Sequence, residues 1–103
     1  MSEPFRDLVG IDRIVHEPAR LMILALLYHL ESADFLYLLR ETGLTRGNLS
    51  AHLSKLEEAG YIAVEKGFRG RVPQTTYSFT ESGRSAFREY RDRMKRAVDS
   101  LPE

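Results

Sequence analysis

The chain has no cysteine, and its 15 basic residues cancel its 15 acidic ones. Without cysteine there are no disulfides, no thiolate metal sites and no cysteine nucleophile. Long apolar runs are missing too. The longest, Leu21 to Tyr28, has eight residues between Arg20 and His29, far short of the roughly twenty that span a bilayer. Met1-Ser2-Glu3-Pro4 carries neither a basic region nor a following apolar stretch, so no secretory signal is read and a cytoplasmic location is expected. What remains is 103 residues, 43% hydrophobic and 29% charged, the composition of one soluble domain over 1–103 with a modest core.

Enzymatic constellations are equally scarce. His16, His29 and His52 lack metal-ligand spacing. Ser50 and Ser54 flank His52 but project from a different helix face than its ring, with no carboxylate to orient a base. Glu57 and Glu58 are adjacent, so on a helix they point about 100° apart and cannot work as an acid–base pair. Tyr28, Tyr37 and Phe35 read as core rather than a ligand cage. No enzyme, metal or cofactor is expected.

The zero net charge hides an uneven distribution. Residues 1–65 hold six basic against ten acidic residues, whereas 66–96 hold nine against three. Interactions are local over a Debye length of about 8 Å in physiological salt, so a basic zone in a neutral protein can still meet phosphates.

The stretch Leu44 to Ile62 organises the rest. Thr45 can accept from the orphan amides of a helix start, Gly60 can close the helix in a left-handed turn, and Leu49, Leu53 and Leu56 recur between them. At 100° per residue Leu53 and Leu56 fall within about 40° of Leu49. Gly47, Ser50, Ala51, Ser54 and Lys55 project from the other side, with Asn48 on its flank and no carboxylate before Glu57. A solvated face is normally dense in Glu and Lys. This small, polar, weakly basic one lets a backbone approach a surface closely, and its Ser, Asn, Lys and Arg side chains can donate to phosphates and base edges. The expected nucleic-acid contacts are Thr45, Arg46, Asn48, Ser50, Ser54 and Lys55, with His52 on the margin.

Around it, Phe5, Leu8, Val9, Ile11, Ile14 and Val15 predict a first helix over 5–16, interrupted only by Gly10. Pro18 to Leu30 is apolar almost all round and predicts a buried central helix with Pro18 at its first position. Ser32 or Asp34 can cap a short helix from Phe35 to Thr42, ended by Gly43. That helix and the next, joined through a glycine, have helix-turn-helix spacing over 34–60. Ile62 and Val64, then Thr75, Tyr77 and Phe79, alternate as two strands, and Gly67 to Gln74 reads as a loop too long for a tight hairpin. Its Arg69 and Arg71 give the hairpin over 61–80 the character of a wing reaching for phosphates or the minor groove. Glu81 to Leu101 predicts one long helix, capped by Thr80 or Ser82. Phe87, Tyr90, Met94, Ala97 and Leu101 on it are spaced 3, 4, 3 and 4 like a coiled-coil seam. A second chain is expected on that seam, with Phe5, Leu8 and Ile11 of the N-terminal helix alongside, so 4–16 and 81–101 are read as dimerisation helices.

The run Leu44-Thr45-Arg46-Gly47-Asn48-Leu49-Ser50-Ala51-His52-Leu53-Ser54-Lys55-Leu56-Glu57-Glu58-Ala59-Gly60-Tyr61-Ile62, followed by Pro73-Gln74-Thr75-Thr76-Tyr77-Ser78-Phe79-Thr80-Glu81-Ser82-Gly83-Arg84, resembles the winged-helix domain of ArsR/MarR-type prokaryotic transcriptional regulators over about residues 16–90. The resemblance implies a dimeric DNA-binding regulator whose first motif enters the major groove and whose Tyr-x-x-Thr-x-x-Gly motif closes the wing. The chain departs from the thiol-based metal sensors of that group in having no cysteine, and from the histidine-based ones in having no histidine in its last helix. The expected fold class is α+β, mainly helical: a winged helix-turn-helix with a two-stranded β wing and a long C-terminal dimerisation helix. The expected function is a sequence-specific regulator, a repressor, binding pseudo-palindromic double-stranded DNA as a homodimer, with a small-molecule effector pocket at the dimer interface left open. The alternative is a winged-helix module for protein–protein assembly without DNA readout.

Overall fold

Four side-chain caps set where the helices begin. In the computed structural model, which describes residues 3–102, Glu17 accepts from the Arg20 amide and opens α2 (Pro18–His29). Asp34 accepts from the Tyr37 amide at 2.7 Å and opens α3 (Phe35–Thr42), which ends in the left-handed Gly43. Thr45 accepts from the Asn48 amide at 3.1 Å and opens α4 (Arg46–Glu58). Thr80 accepts from the Gly83 amide at 2.9 Å and opens α5 (Glu81–Asp99). Each cap satisfies an amide that the first helical turn leaves without a partner.

The three-stranded antiparallel sheet has the order β1 (Ala33–Asp34), β3 (Val72–Phe79), β2 (Ile62–Arg69). The register pairs Ile62 with Phe79, Val64 with Tyr77, Lys66 with Thr75 and Phe68 with Pro73. These eight residues share one face, because side chains alternate along a strand. At its base that face lies on the core, where Ile23, Leu24, Leu27, Leu38, Leu49 and Leu56 are fully buried and Ile62 and Tyr77 nearly so.

Three expectations are corrected, and a third strand joins the two expected. The helix expected over 5–16 does not run through: α1 (Glu3–Arg6) gives way to a 3-10 turn, Asp7–Gly10, and Ile11 is extended. The reason lies at Asp12, whose carboxylate accepts from the amides of Ile14 and Val15 and from the Tyr61 hydroxyl, offering the backbone an alternative to the helix. That hydrogen bond and burial push the Tyr61 phenol up to about 12.

The presumed loop 67–74 is not a loop. Both strands continue to a two-residue turn, Gly70-Arg71, between the paired Arg69 and Val72. Gly70 has φ +64°, the left-handed value a tight hairpin of this kind requires.

The sheet gains a third strand, β1, whose two residues pair with Thr76 and Tyr77. Two residues carry no alternation to detect.

Finally, the coiled-coil seam on α5 is largely occupied by its own chain. Tyr90 and Ala97 are buried, and Phe87, Met94 and Ile11 pack against the core. The Tyr90 hydroxyl lies 2.8 Å from His16 Nδ1. Arg93 donates to the Asp7 carbonyl and Arg96 to the Asp7 carboxylate at 2.9 Å, so the N-terminal segment folds across the helix. Leu101, Phe5 and Leu8 remain exposed.

Candidate nucleic-acid interface

α4 presents two unlike sides. Leu49, Leu53 and Leu56 are buried, while Arg46, Gly47, Asn48, Ser50, Ala51, Ser54 and Lys55 are exposed. Gly60, at φ +80°, turns the chain from α4 into β2, and the hairpin then rises beside the exposed face. Ser50 and Ser54 of α4 and Lys66 and Thr75 of the hairpin line opposite walls of one shallow groove.

A second, larger cleft of about 700 Å³ lies between the start of α3, the start of α4 and the hairpin. Asp34, Phe35, Arg46, Ser50, Arg69 and Pro73 are among the residues that line it. The Arg46 guanidinium sits 5.9 Å from the centroid of the Phe35 ring, which holds its charge near the mouth of the cleft. Asp34 joins two parts of the site. Besides capping α3, it accepts from Gln74 Nε2 at 3.0 Å, which ties the helix-turn-helix to the central strand of the wing. The Tyr37 amide is the main influence holding its carboxyl below the usual range; burial opposes it, and Gln74 and the charges of Arg69 and Arg40 reinforce it.

Arg46, Ser50 and Arg69 line the cleft, Ser50 and Ser54 line the groove, Arg71 sits in the hairpin turn, and Asn48 and Lys55 are exposed on α4 without lining either. Thr45 is exposed but its hydroxyl is engaged as the α4 cap. His52 turns the other way: its Nδ1 accepts from Arg20 Nη1 at 3.2 Å, and its Nε2 lies 3.9 Å from Glu17. It fastens α4 to the start of α2 instead of lining the margin of the outward face. Lys66 and Gln74 were not singled out by sequence, and Asp34 was read there only as a helix cap. Lys66 had a signal, since it continues the alternation of Ile62 and Val64. The aromatic residues do not gather into a cage: Tyr28 packs with Phe79, Phe87 and Arg84, whereas Phe35 lies under Arg46. Among the described residues, no group of three or more His, Cys, Asp or Glu could hold a metal ion, and no helix is long and apolar enough to cross a membrane.

A helix-turn-helix whose second helix shows a small polar face beside a basic two-stranded hairpin defines the winged helix-turn-helix class of transcriptional regulators. The winged helix DNA-binding domain family matches residues 19–98, and the chain belongs to that family. An uncharacterized protein from Methanocaldococcus jannaschii is 46% identical over 79 residues, spanning 76% of this chain and 85% of its own. Among solved structures, a transcriptional regulator homologue from Pyrococcus horikoshii OT3 is 27% identical with a TM-score of 0.88, covering 98% of this chain and 99% of its own. NadR, solved in complex with 4-hydroxyphenylacetate, shares the fold at 21% identity and a TM-score of 0.70, over 97% of this chain and 68% of its own.

Proposed function

We propose that the protein is a sequence-specific transcriptional repressor that binds pseudo-palindromic duplex DNA as a homodimer. The observation that carries this reading is the outward face of α4, which bears no carboxylate before Glu57, with Asn48, Ser50, Ser54 and Lys55 exposed on the helix and Lys66, Arg69 and Arg71 on the hairpin beside it. In this reading α4 lies in the major groove with Asn48 and Ser50 toward base edges, while Arg46, Lys55 and the wing cations meet phosphates. A dimer seated across two grooves covers the DNA and so excludes other proteins from it, which is the basis for repression.

The second copy would join at the far end of the chain. The molecule measures 58 × 25 × 21 Å, and its radius of gyration of 15.5 Å exceeds the roughly 13 Å of a compact chain of this length. Near the end of α5, Val98 and Leu101 are over half exposed, and Phe5, Leu8 and Val9 of the N-terminal segment packed on that helix are exposed with them. These residues, more than the buried Tyr90 and Ala97, supply the apolar surface for an isologous contact.

Selection of binding sites from a random duplex library tests the reading. Enrichment of an inverted repeat with half-site centres about 10 base pairs, or roughly 34 Å, apart supports it. Enrichment of single half-sites or of no sequence refutes the dimeric readout.

A further inference from the structure

Phe68 is 73% exposed, although its ring lies on the hairpin face that is buried at its base. At about 3.3 Å per residue it stands roughly 13 Å beyond Val64, the last half-buried residue of β2. Its cross-strand partner is Pro73, so the inner face of the tip ends in a ring against a ring. That face looks toward α4, because Lys66 and Thr75, one step down the ladder, line the groove opposite Ser50 and Ser54. Three cations surround the tip, Lys66, Arg69 and Arg71, and the sequence has no carboxylate between Glu65 and Glu81. The charges on the tip itself are of the sign that meets phosphate, and the carboxylate that shares the groove with Lys66 is Glu57 of α4.

Resting on the DNA-binding reading above, the geometry points to Phe68 as a wedge that enters the minor groove flanking the α4 site and parts a base step. With α4 in the major groove, a basic hairpin of this reach meets the adjacent backbone. Arg69 and Arg71 anchor it there, and Phe68 is its apolar tip on the inner side. Apolar wedges inserted in this way unstack a step and kink or unwind the duplex. The gain from covering the ring and the cost of parting a step are of similar size, so the ring changes the shape of the DNA more than the affinity for it. Flexible pyrimidine–purine steps would be the ones that yield, which makes Phe68 a determinant of specificity at base pairs that α4 does not touch.

Relaxation of a closed circular plasmid by a type I topoisomerase in the presence of saturating protein reads this directly and needs no known operator. The wild type should shift the topoisomer distribution. Phe68→Ala should lose most of that shift while its affinity for mixed-sequence duplex falls only a few-fold, and Phe68→Trp should keep it. Circular dichroism of each variant should match the parent, since the ring makes little contact with the fold. A wild-type shift from Phe68→Ala at equal occupancy overturns the wedge and leaves DNA binding standing. So does a wild type that occupies the plasmid without shifting it. A wild type that does not bind the plasmid at low salt overturns the wedge and the reading beneath it.

Discussion

Gly83→Ala should destabilise the protein by about 3 kcal/mol, although glycine-to-alanine changes inside helices ordinarily stabilise by about 1 kcal/mol. Gly83 lies in the first turn of α5 against the end of the α4–β2 turn. A Cβ there would stand 2.0 Å from the Tyr61 carbonyl oxygen, 2.7 Å from its carbon and 2.9 Å from its Cα. Ordinary contact needs roughly 3.5 Å, so helix and turn must separate by about 1.5 Å. The atoms in the way are backbone, and they are tied down. Tyr61 O accepts from the Thr80 amide at 3.1 Å, Thr80 Oγ1 donates to the Gly60 carbonyl at 2.6 Å, and the same hydroxyl accepts from the Gly83 amide at 2.9 Å.

Separation weakens two of these bonds at about 1 kcal/mol each. Overpacking adds about 2 kcal/mol, and the helix-propensity gain returns about 1 kcal/mol. For a domain of this size the loss lowers Tm by roughly 10–20 °C. Thermal and urea unfolding followed by circular dichroism measure it. Gly47→Ala in α4 is the control, since nothing lies within 4 Å of a Cβ there, and it should raise stability by about 0.5–1 kcal/mol. If Gly83→Ala were as stable as the parent, or more so, the close approach of α5 to Tyr61 would be wrong.

Other perturbations test neighbouring parts of the account. Thr80→Val keeps the shape of the side chain but removes both hydroxyl bonds, and urea unfolding should show a loss of about 1–2 kcal/mol. Asp34 has a folded-state carboxyl pKa below its ordinary value, so its contribution is present in full above the unfolded value near 4 and is lost as pH falls through the folded one. Asp34→Asn retains a capping oxygen without the charge. The slope of stability against pH should therefore flatten below about pH 4, and an unchanged slope in acid titration would remove the charge from the explanation. Arg69→Ala should weaken binding to all duplexes and reduce the slope of log K against log salt by about 0.9, whereas Asn48→Ala should alter discrimination between sites by about 1–3 kcal/mol. Equal losses on specific and random DNA for both would remove Asn48 as a reader.

The elements legible in the sequence are those whose signals are local. Thr45, Asp34 and Thr80 announce helix starts within three residues of the amides they satisfy, and the leucines of α4 repeat at helical spacing. The Tyr-x-x-Thr-x-x-Gly motif was legible as a pattern, but its cause is tertiary. Thr80 caps α5 and holds Gly60, and only glycine at 83 lets α5 pass Tyr61. The broken N-terminal helix was hidden because Asp12 is held by Tyr61, 49 residues away.

The site divides in the same way. The exposed face of α4 follows from 100° periodicity, but which hairpin residues look toward it depends on where the strands turn. Placing the turn at Gly70-Arg71 extends both strands and puts Lys66 and Phe68 on the inner face. His52 could not be placed by its position on the helix, because its direction is set by Arg20 and Glu17 on α2. The spacing of Phe87, Tyr90, Met94 and Ala97 is real, but the chain's own core and its N-terminal segment take most of that seam. Periodicity reports an apolar stripe and does not say which chain covers it.

The central claim, that this protein reads DNA as a dimer, is tested most directly by fluorescence anisotropy at two salt concentrations, with molar mass measured in parallel. The duplexes are a random sequence and the DNA upstream of the protein's own coding sequence. The account predicts a dimer whose affinity falls steeply with salt and which binds the upstream duplex more tightly than the random one. A dimer or monomer that ignores both duplexes at low salt would contradict it.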